Sequence, residues 1–139
     1  VRVLPGITAM LAAAARAGAP LGHDFCTINL SDNLKPWTLI DKRLRAAIGA
    51  DMAMAFYNPR SASRPHTFDQ VLQVLRETCE PERLLLFARA VSTPQERLLC
   101  VPLGEAQADM ADMRTLVIVG SSTTRRVGRF VYTPRSVAA

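Results

Sequence analysis

The segment Pro5–Ala9, with the sequence Pro-Gly-Ile-Thr-Ala, is the first with residues placed for chemistry. Its Pro-Gly turn leads directly into an alanine-rich stretch of strong helix formers, so a tight turn stands at a helix N-terminus. The free backbone N–H groups of a helix N-terminus attract a carboxylate or a phosphate. The segment therefore predicts a contact with a polar ligand. The alternative is that Thr8 is a plain helix cap.

A second group, Tyr57-Asn58-Pro59, ends a nearly continuous apolar run that starts at Met52. Such a run is typical of a strand buried on both faces. Ligands of α/β sheets bind at the carboxyl ends of strands, where a few polar side chains fix their orientation. We therefore predict a ligand contact at Tyr57 and Asn58, with an ordinary Asn-Pro turn as the alternative.

The C-terminal stretch is basic. The chain has fifteen arginines and two lysines, and all twelve acidic residues lie at or before Asp112. The excess of five positive charges comes from Arg114, Arg125, Arg126, Arg129 and Arg135. A small polycarboxylate and a nucleic acid both suit such a stretch, but no RNA-binding signature accompanies it.

The residue patterns that several other common chemistries require are absent from the sequence. The sequence has no GxGxxG, Walker or GxSxG motif, and its acidic residues form no readable acid–base pair. Its two histidines, His23 and His66, are far apart, so we predict no metal site. No catalytic acid, base or nucleophile is assigned.

The composition is that of a folded domain. The 139 residues are 49% hydrophobic and 21% charged. No apolar run approaches the length of a membrane span. Three cysteines, an odd number without metal-ligand spacing, indicate free thiols in a reducing compartment, which predicts a cytoplasmic protein.

Helical and strand patterns alternate along the chain, and they predict one α/β domain with a mixed sheet of about five strands flanked by helices. The predicted helices are Thr8–Ala17, Trp37–Ile48 and Thr67–Thr78. The predicted strands are Val1–Leu4, Phe25–Leu30, Asp51–Tyr57, Leu84–Phe87, Arg97–Pro102, Thr115–Val119 and, as an edge strand, Phe130–Tyr132. The predicted loops are Ser31–Lys35, Arg60–Pro65 and Ser121–Gly128. The two most apolar runs, Met52–Phe56 and Thr115–Val119, are expected at the centre of the sheet.

Taken in order, the motifs resemble the tetrapyrrole methyltransferase family over nearly the whole chain. The segments that carry the resemblance are Pro5–Ala9, Gly22–Phe25, Ser31-Asp32, Phe56–Ser61, Arg64-Pro65 and Asp112–Arg126. The Pro-Gly-Ile-Thr-Ala motif is shared by the family. The Tyr-Asn-Pro and Arg-Thr-Leu-Val-Ile-Val-Gly-Ser-Ser stretches are more specific to the branch that methylates precorrin-3B.

The resemblance implies S-adenosylmethionine as methyl donor and a precorrin of cobalamin biosynthesis as acceptor, with two α/β domains around the cofactor and usually a homodimer. Carried over by position, the residues that contact the cofactor are Thr8, Ala9, Tyr57, Asn58, Ala90, Ser92 and Leu116. The chain departs at Ala90-Val91-Ser92, where related sequences usually have an Asn-Ala-Gly-like stretch. A glycine that would let the backbone approach the ligand is missing there.

The tetrapyrrole bears many carboxylates, and arginine suits bidentate carboxylate recognition. Arg60 and Arg64, beside the Tyr-Asn-Pro turn, are therefore candidate substrate ligands. Arg125 and Arg126, together with Arg129, are candidates because they follow the end of a predicted strand, where a ligand cleft opens. Solvated surface arginines are the alternative in both places. With such a substrate, neither a nucleic acid nor a membrane is expected as a partner.

The chain starts with Val-Arg-Val-Leu, a pattern typical of the end of a strand, and it lacks the glycine-rich loop of the family's first domain. We therefore expect it to be the C-terminal domain of a longer enzyme, residues 1–139 without the N-terminal domain. Two alternatives stay open: a non-catalytic cofactor-binding or dimerisation domain, and a methylase that acts on a different precorrin.

Overall fold

The computed structural model describes residues 1–136, which form three α-helices, two short 3-10 helices and eight strands. The helices are α1 (Ala9–Ala17), α2 (Trp37–Gly49) and α3 (Thr67–Thr78). The strands are β1 (Gly18–Ala19), β2 (Phe25–Asn29), β3 (Ala53–Tyr57), β4 (Leu84–Arg89), β5 (Arg97–Pro102), β6 (Thr115–Val119), β7 (Arg125–Val127) and β8 (Phe130–Tyr132). The 3-10 helices are Leu103–Glu105 and Ala108–Met110.

The main sheet has five strands in the order β2-β3-β6-β4-β5. Strands β2 and β3 are parallel, whereas β6 runs antiparallel to both of its neighbours, β3 and β4. A hairpin joins β4 to β5. The predicted mixed sheet of about five strands is confirmed. Of the two most apolar runs, β6 is the central strand and β3 is one of its two neighbours.

Helices cover both faces of this sheet, and the two faces differ in side-chain size. On one face α2 and α3 pack large side chains, among them Phe68 and Leu44, against Phe56 and Phe87 of the sheet. On the other face the contact is built largely from alanines: Ala13, Ala14 and Ala17 of α1 with Ala55 and Ala88 of the sheet. Small side chains on both surfaces let α1 lie close to the strands.

A second sheet lies beside the main one, with the order β1-β8-β7. Gly18 ends α1 at a φ of 131°, a conformation that favours glycine, and its Cβ position faces the backbone of Val131 at 2.6 Å. The predicted edge strand Phe130–Tyr132 therefore exists, but it belongs to this smaller sheet.

The three helices match their predicted ranges within one or two residues, because each has a clear apolar face. Two other predictions were wrong. Residues Val1–Leu4 form no strand: their side chains are exposed, and no strand edge receives their backbone hydrogen bonds. The predicted loop Ser121–Gly128 contains β7, which pairs with β8 across a turn at Gly128 with a φ of 58°.

Phe68 offers a direct test of the core. Its side chain is fully buried and packs edge-to-face on Phe87, with ring centroids 6.0 Å apart. We expect Phe68→Ala to lower the free energy of unfolding by about 3–5 kcal/mol, measured by chemical denaturation, because the cavity left behind adds to the lost burial. Leu34→Ala, at a fully exposed leucine, is the control and should change it by less than about 0.5 kcal/mol. Equal effects of the two substitutions would contradict this core.

Candidate functional site

Three strand ends meet at one end of the main sheet. Because β6 is antiparallel to its neighbours, its amino end lies beside the carboxyl ends of β3 and β4. A cavity of about 360 Å³ opens there against α1, and we call it the strand-end cleft. Five of the seven predicted cofactor residues line it, namely Ala9, Tyr57, Asn58, Ala90 and Leu116.

The hydroxyl of Tyr57 joins the sheet to the N-terminus of α1. It accepts a hydrogen bond from the backbone N–H of Met10, with 3.0 Å between the two atoms, and it is hydrogen-bonded to Oγ1 of Thr8. Thr8 stands at the N-cap position, but its side chain makes no capping hydrogen bond to the helix. The plain-cap alternative for Thr8 is therefore wrong. Thr8 does not line the cleft itself; it lies one hydrogen bond behind Tyr57.

Asn58 follows β3 with a φ of 52°, in the left-handed region, which asparagine tolerates better than most residues. Its side-chain Nδ2 donates to Oδ1 of Asn29 at 3.1 Å, and the same oxygen accepts the Ser31 N–H at 2.9 Å. The ends of β2 and β3 are thereby tied together. The amide of Asn58 is fixed at the edge of the cleft before any ligand arrives.

Arg64, a predicted substrate residue, does not line the strand-end cleft. Its side chain is only 12% exposed and lies 3.7 Å from a carboxylate oxygen of Asp32. Its Nη1 lies 3.5 Å from the carbonyl oxygens of Leu30 and Asn58, to which it donates. The guanidinium is turned inward onto the backbone that follows β2 and β3. In this orientation Arg64 supports the backbone of the Tyr57-Asn58 turn.

The segment after β4 adopts a left-handed backbone conformation, which favours glycine, although this chain has no glycine there. Ala90 has a φ of 48° and Ser92 a φ of 66°, so both lie in the left-handed region although neither is glycine. The Ala90 N–H donates to the carbonyl oxygen of Arg114 at 3.0 Å, which holds the turn against the amino end of β6. Ala90 lines the cleft, whereas Ser92 lies just beyond it.

A larger cavity of about 480 Å³ adjoins the strand-end cleft and shares Met113 and Arg114 with it. Arg60, a predicted substrate residue, also lines it, and we call it the arginine cavity. Arg114 was expected only as part of the basic C-terminal stretch, and its sequence context did not indicate a position in these two cavities. Arg114 precedes β6, so its place in the cleft becomes visible only when β6 is known to be antiparallel.

Asp112 orders the loop between the two cavities. Its carboxylate accepts hydrogen bonds from Nε of Arg89 at 2.6 Å, Oγ1 of Thr115 at 2.8 Å and the Arg114 N–H at 2.8 Å. Burial opposes the charged form of Asp112, but these three donors outweigh it and lower the pKa of the carboxyl group. The charged carboxylate thus holds Arg114 in its place at the cavity wall.

The geometric reason for assigning Arg125 and Arg126 to the substrate was wrong. The carboxyl end of β6 lies at the start of β4, where the Gly120 N–H donates to the Leu84 carbonyl oxygen at 2.9 Å, and so at the end of the sheet away from the strand-end cleft. Arg125 donates to carbonyl oxygens of its own loop. Arg126 and Arg129 line a separate groove with Arg16 of α1.

The Gly120-Ser121-Ser122 stretch has a structural role at that opposite end. A Cβ atom on Gly120 would lie 2.6 Å from the side chain of Thr124, so only glycine fits. The Ser122 N–H donates to Oδ1 of Asp51 at 2.8 Å. Buried Arg83 donates to the Gly120 carbonyl oxygen at 3.1 Å and forms a two-pronged ion pair with Glu80. The motif therefore stabilises the fold at this end of the sheet and is not part of the strand-end cleft.

Within residues 1–136, no group of three or more His, Cys, Asp or Glu side chains is placed to hold a metal ion. None of the helices in that part of the chain has the length and apolar character needed to cross a membrane. Cys26, Cys79 and Cys100 are all free thiols, and burial raises the pKa of each.

Comparison with known proteins gives consistent relatives. The family model of tetrapyrrole (corrin/porphyrin) methylases matches residues 1–107. The chain is 52% identical, over 98% of its length, to the precorrin-3B C(17)-methyltransferase of Sinorhizobium sp, of which it covers 56%. It is 40% identical, over 97% of its length, to a probable cobalt-factor III C(17)-methyltransferase of Salmonella typhimurium, of which it also covers 56%.

Solved structures agree with this result. The crystal structure of the methyltransferase CobJ matches 96% of the chain with a TM-score of 0.94 and 68% identity, and the chain covers 56% of it. The cobalt precorrin-4 methyltransferase CbiF matches with a TM-score of 0.67 at 16% identity, over 86% of the chain and 51% of CbiF, which shows a shared fold. The chain thus spans about half the length of the relatives named here.

The Tyr57 hydroxyl can be tested by Tyr57→Phe. We expect the free energy of unfolding to fall by about 1 kcal/mol, because the Met10 N–H and the Thr8 hydroxyl lose their partner. Hydrogen exchange of the Met10 amide should accelerate more than that of amides in the middle of α1. Tyr132→Phe, at a partly exposed tyrosine in the second sheet, is the control and should change neither quantity. Unchanged protection of Met10 in Tyr57→Phe would contradict the proposed link.

Asp112 makes stability depend on pH. Because its pKa is lowered in the folded chain, its contribution is present above the pKa of an unperturbed aspartate, about 4, and is lost as the pH falls through the folded value. We expect Asp112→Asn to be less stable than the parent at neutral pH. We also expect a shallower fall in stability towards pH 2 in urea titrations. Asp24→Asn, at an exposed aspartate, is the control. A parallel pH dependence of Asp112→Asn and the parent would refute this role.

Proposed function

The chain belongs to the tetrapyrrole methylase family, and from this membership we propose that it forms part of an S-adenosylmethionine-dependent methyltransferase of cobalamin biosynthesis. The named relatives support precorrin-3B as the methyl acceptor, since identity to the precorrin-3B enzyme is 52% and to the cobalt-factor III enzyme 40%. Because the chain spans about half of these relatives, the activity is proposed for the whole enzyme. In that enzyme this chain is the C-terminal domain.

One observation carries the proposal for this chain: the predicted cofactor residues converge on the strand-end cleft, although they come from four separate segments. The cleft fits an adenosyl group, because Ala9, Ala12, Ala88 and Ala90 leave room for a flat apolar ring. We propose that Tyr57 and Asn58 supply polar contacts and that the backbone at Leu116 lies near the adenine. A uroporphyrin-III C-methyltransferase of this fold was solved with S-adenosyl homocysteine.

The cofactor, when bound, supplies a methyl group that its sulfonium centre already activates. The chain's own task is therefore to position, and positioning can supply much of the acceleration. The elements suited to this task are preordered: Tyr57 is tied to α1, Asn58 to β2, and Ala90 to the amino end of β6. We assign no general acid or base to this chain.

We propose that the arginine cavity receives part of the tetrapyrrole. Arg60 and Arg114 line it, and guanidinium groups suit the carboxylates of such a substrate. The arrangement places a substrate cavity directly beside the cofactor cleft, with Met113 and Arg114 lining both. We do not include Arg64, Arg125 and Arg126 in this proposal, because none of them lines the arginine cavity or the strand-end cleft.

We further propose that the whole enzyme is a cytoplasmic homodimer in which an N-terminal domain carries the second wall of the cofactor site. Free thiols at all three cysteines suit a reducing compartment. We propose the dimer and the second domain from the resemblance to the family.

Titration of this 139-residue chain with S-adenosyl homocysteine tests the proposal. We expect weak binding, on the order of millimolar, because one wall of a site makes only part of the contacts. We expect no methyl transfer by the chain alone, since positioning of the reactants needs both walls. Backbone NMR shifts on titration should concentrate at Ala9, Asn58, Ala90 and Leu116. Micromolar affinity would overturn the expectation of a one-sided site, and shifts confined to other surfaces would overturn the cofactor assignment.

A matched pair of substitutions on α1 sharpens this test. Ala12→Leu projects a larger side chain into the strand-end cleft and should abolish the NMR shifts. Ala15→Leu, on the same helix but outside the cleft and exposed, should leave them intact.

A further inference from the structure

The turn from Ala90 to Glu96, between β4 and β5, forms one edge of the strand-end cleft. Ala90 and Ser92 both have positive φ angles, 48° and 66°, which are unfavourable for a residue with a Cβ atom. Such a conformation persists only when surrounding contacts over-determine it. The turn must therefore be held by specific interactions of its neighbours.

Hydrogen bonds within the turn supply part of this hold. Thr93 donates to the Ala90 carbonyl oxygen twice, from its N–H at 3.2 Å and from Oγ1 at 2.7 Å. The Ser92 N–H donates to carboxylate oxygen Oε2 of Glu96 at 2.7 Å. The bond from Ser92 is charge-assisted and acts on the residue with the larger positive φ.

The carboxylate of Glu96 is in turn fixed by Arg16 of α1. Nη2 of Arg16 lies 2.9 Å from Oε1, and Nε lies 3.0 Å and 3.1 Å from the two carboxylate oxygens. The Glu96 side chain is 19% exposed, and the hydrogen bonds from Arg16 and then from Ser92 lower the pKa of its carboxyl group. Helix α1 also carries Ala9 and Ala12, which line the cleft. One carboxylate thus connects two walls of the cleft.

We propose that Glu96 is a positioning residue for the cofactor: by accepting the Ser92 N–H while paired with Arg16, it holds the left-handed Ala90–Ser92 turn in its ligand-ready shape against α1. This inference rests on the proposed function, because it assigns the turn to S-adenosylmethionine. Glu96 lies outside the lining of the cleft, so its effect passes through the turn.

The test compares three variants of the 139-residue chain by affinity for S-adenosyl homocysteine and by backbone NMR of the turn without ligand. Glu96→Ala should weaken binding roughly tenfold and expose the Ser92 amide to hydrogen exchange, because the charged acceptor is lost. Glu96→Gln keeps an acceptor for Ser92 and should stay within about threefold of the parent. Glu77→Ala removes a comparable ion pair, 3.0 Å from Arg45 on the other helical layer, and should leave both readouts unchanged.

A rescue separates positioning from general stability. Ser92→Gly removes the penalty for the positive φ, so Glu96→Ala should cost less than about threefold in affinity when glycine is present at 92. A merely structural ion pair predicts the same loss with serine or glycine at this position.

The outcomes are distinct. Equal affinities and equal protection of Ser92 in Glu96→Ala and Glu77→Ala would overturn the inference. Lost Ser92 protection with unchanged affinity would overturn the cofactor role of Glu96 alone. If the parent chain shows no binding and no shifts at the cleft, the proposed function itself fails, while the protection of Ser92 still decides whether Glu96 holds the turn.

Discussion

The antiparallel insertion of β6 between β3 and β4 is the constraint on which the molecule depends. Every residue of β6 is buried, and its backbone is paired with β3 on one side and with β4 on the other. Its direction brings the segment before it, Asp112–Arg114, to the ends of β3 and β4. The same direction sends the segment after it, Gly120–Thr124, to the opposite end. The sheet therefore has an open cleft at one end, and its opposite end is filled by its own side chains.

The end of the sheet that carries the strand-end cleft is held together mainly by side chains that form hydrogen bonds with the backbone of another element. Tyr57 satisfies a helix N–H that the local Thr8 leaves open, and Arg64 donates to carbonyl oxygens after two neighbouring strands. A helix packed through alanines has little side-chain interdigitation to set its position along the strands. The hydrogen bonds at its ends, to Tyr57 and to Glu96, take over that task.

The sequence allowed most elements to be predicted, because apolar periodicity and continuous apolar runs mark helices and buried strands. It did not allow strand direction to be predicted. An apolar run such as Thr115–Val119 has the same pattern in a parallel and an antiparallel strand. The arginines after it were therefore expected beside the carboxyl ends of the neighbouring strands, whereas the structure places them at the opposite end of the sheet. The inward orientation of Arg64 had no local signal either, since an arginine in a polar loop is usually solvated. Tyr57 and Asn58 could be placed at the cleft because a buried strand that ends in polar residues is informative in either orientation, and their contact with a cofactor stays a prediction.

Backbone strain distinguishes the two ends of the sheet further. Among residues 1–136, four non-glycine residues have a positive φ, and three of them, Asn58, Ala90 and Ser92, stand at or beside the strand-end cleft. The fourth, Asp51, stands at the opposite end, where its carboxylate accepts the Ser122 N–H and lies 3.7 Å from Nη1 of Arg83.

A left-handed residue costs about 1–2 kcal/mol, a sizeable share of the stability of a domain. At Asp51 the strained residue itself anchors the network at the opposite end of the sheet. At Ala90 the side chain is a methyl group that can form no compensating hydrogen bond, so the backbone shape there is maintained from outside. The shape of the strand-end cleft therefore depends on the contacts that hold the backbone at Ala90 and Ser92.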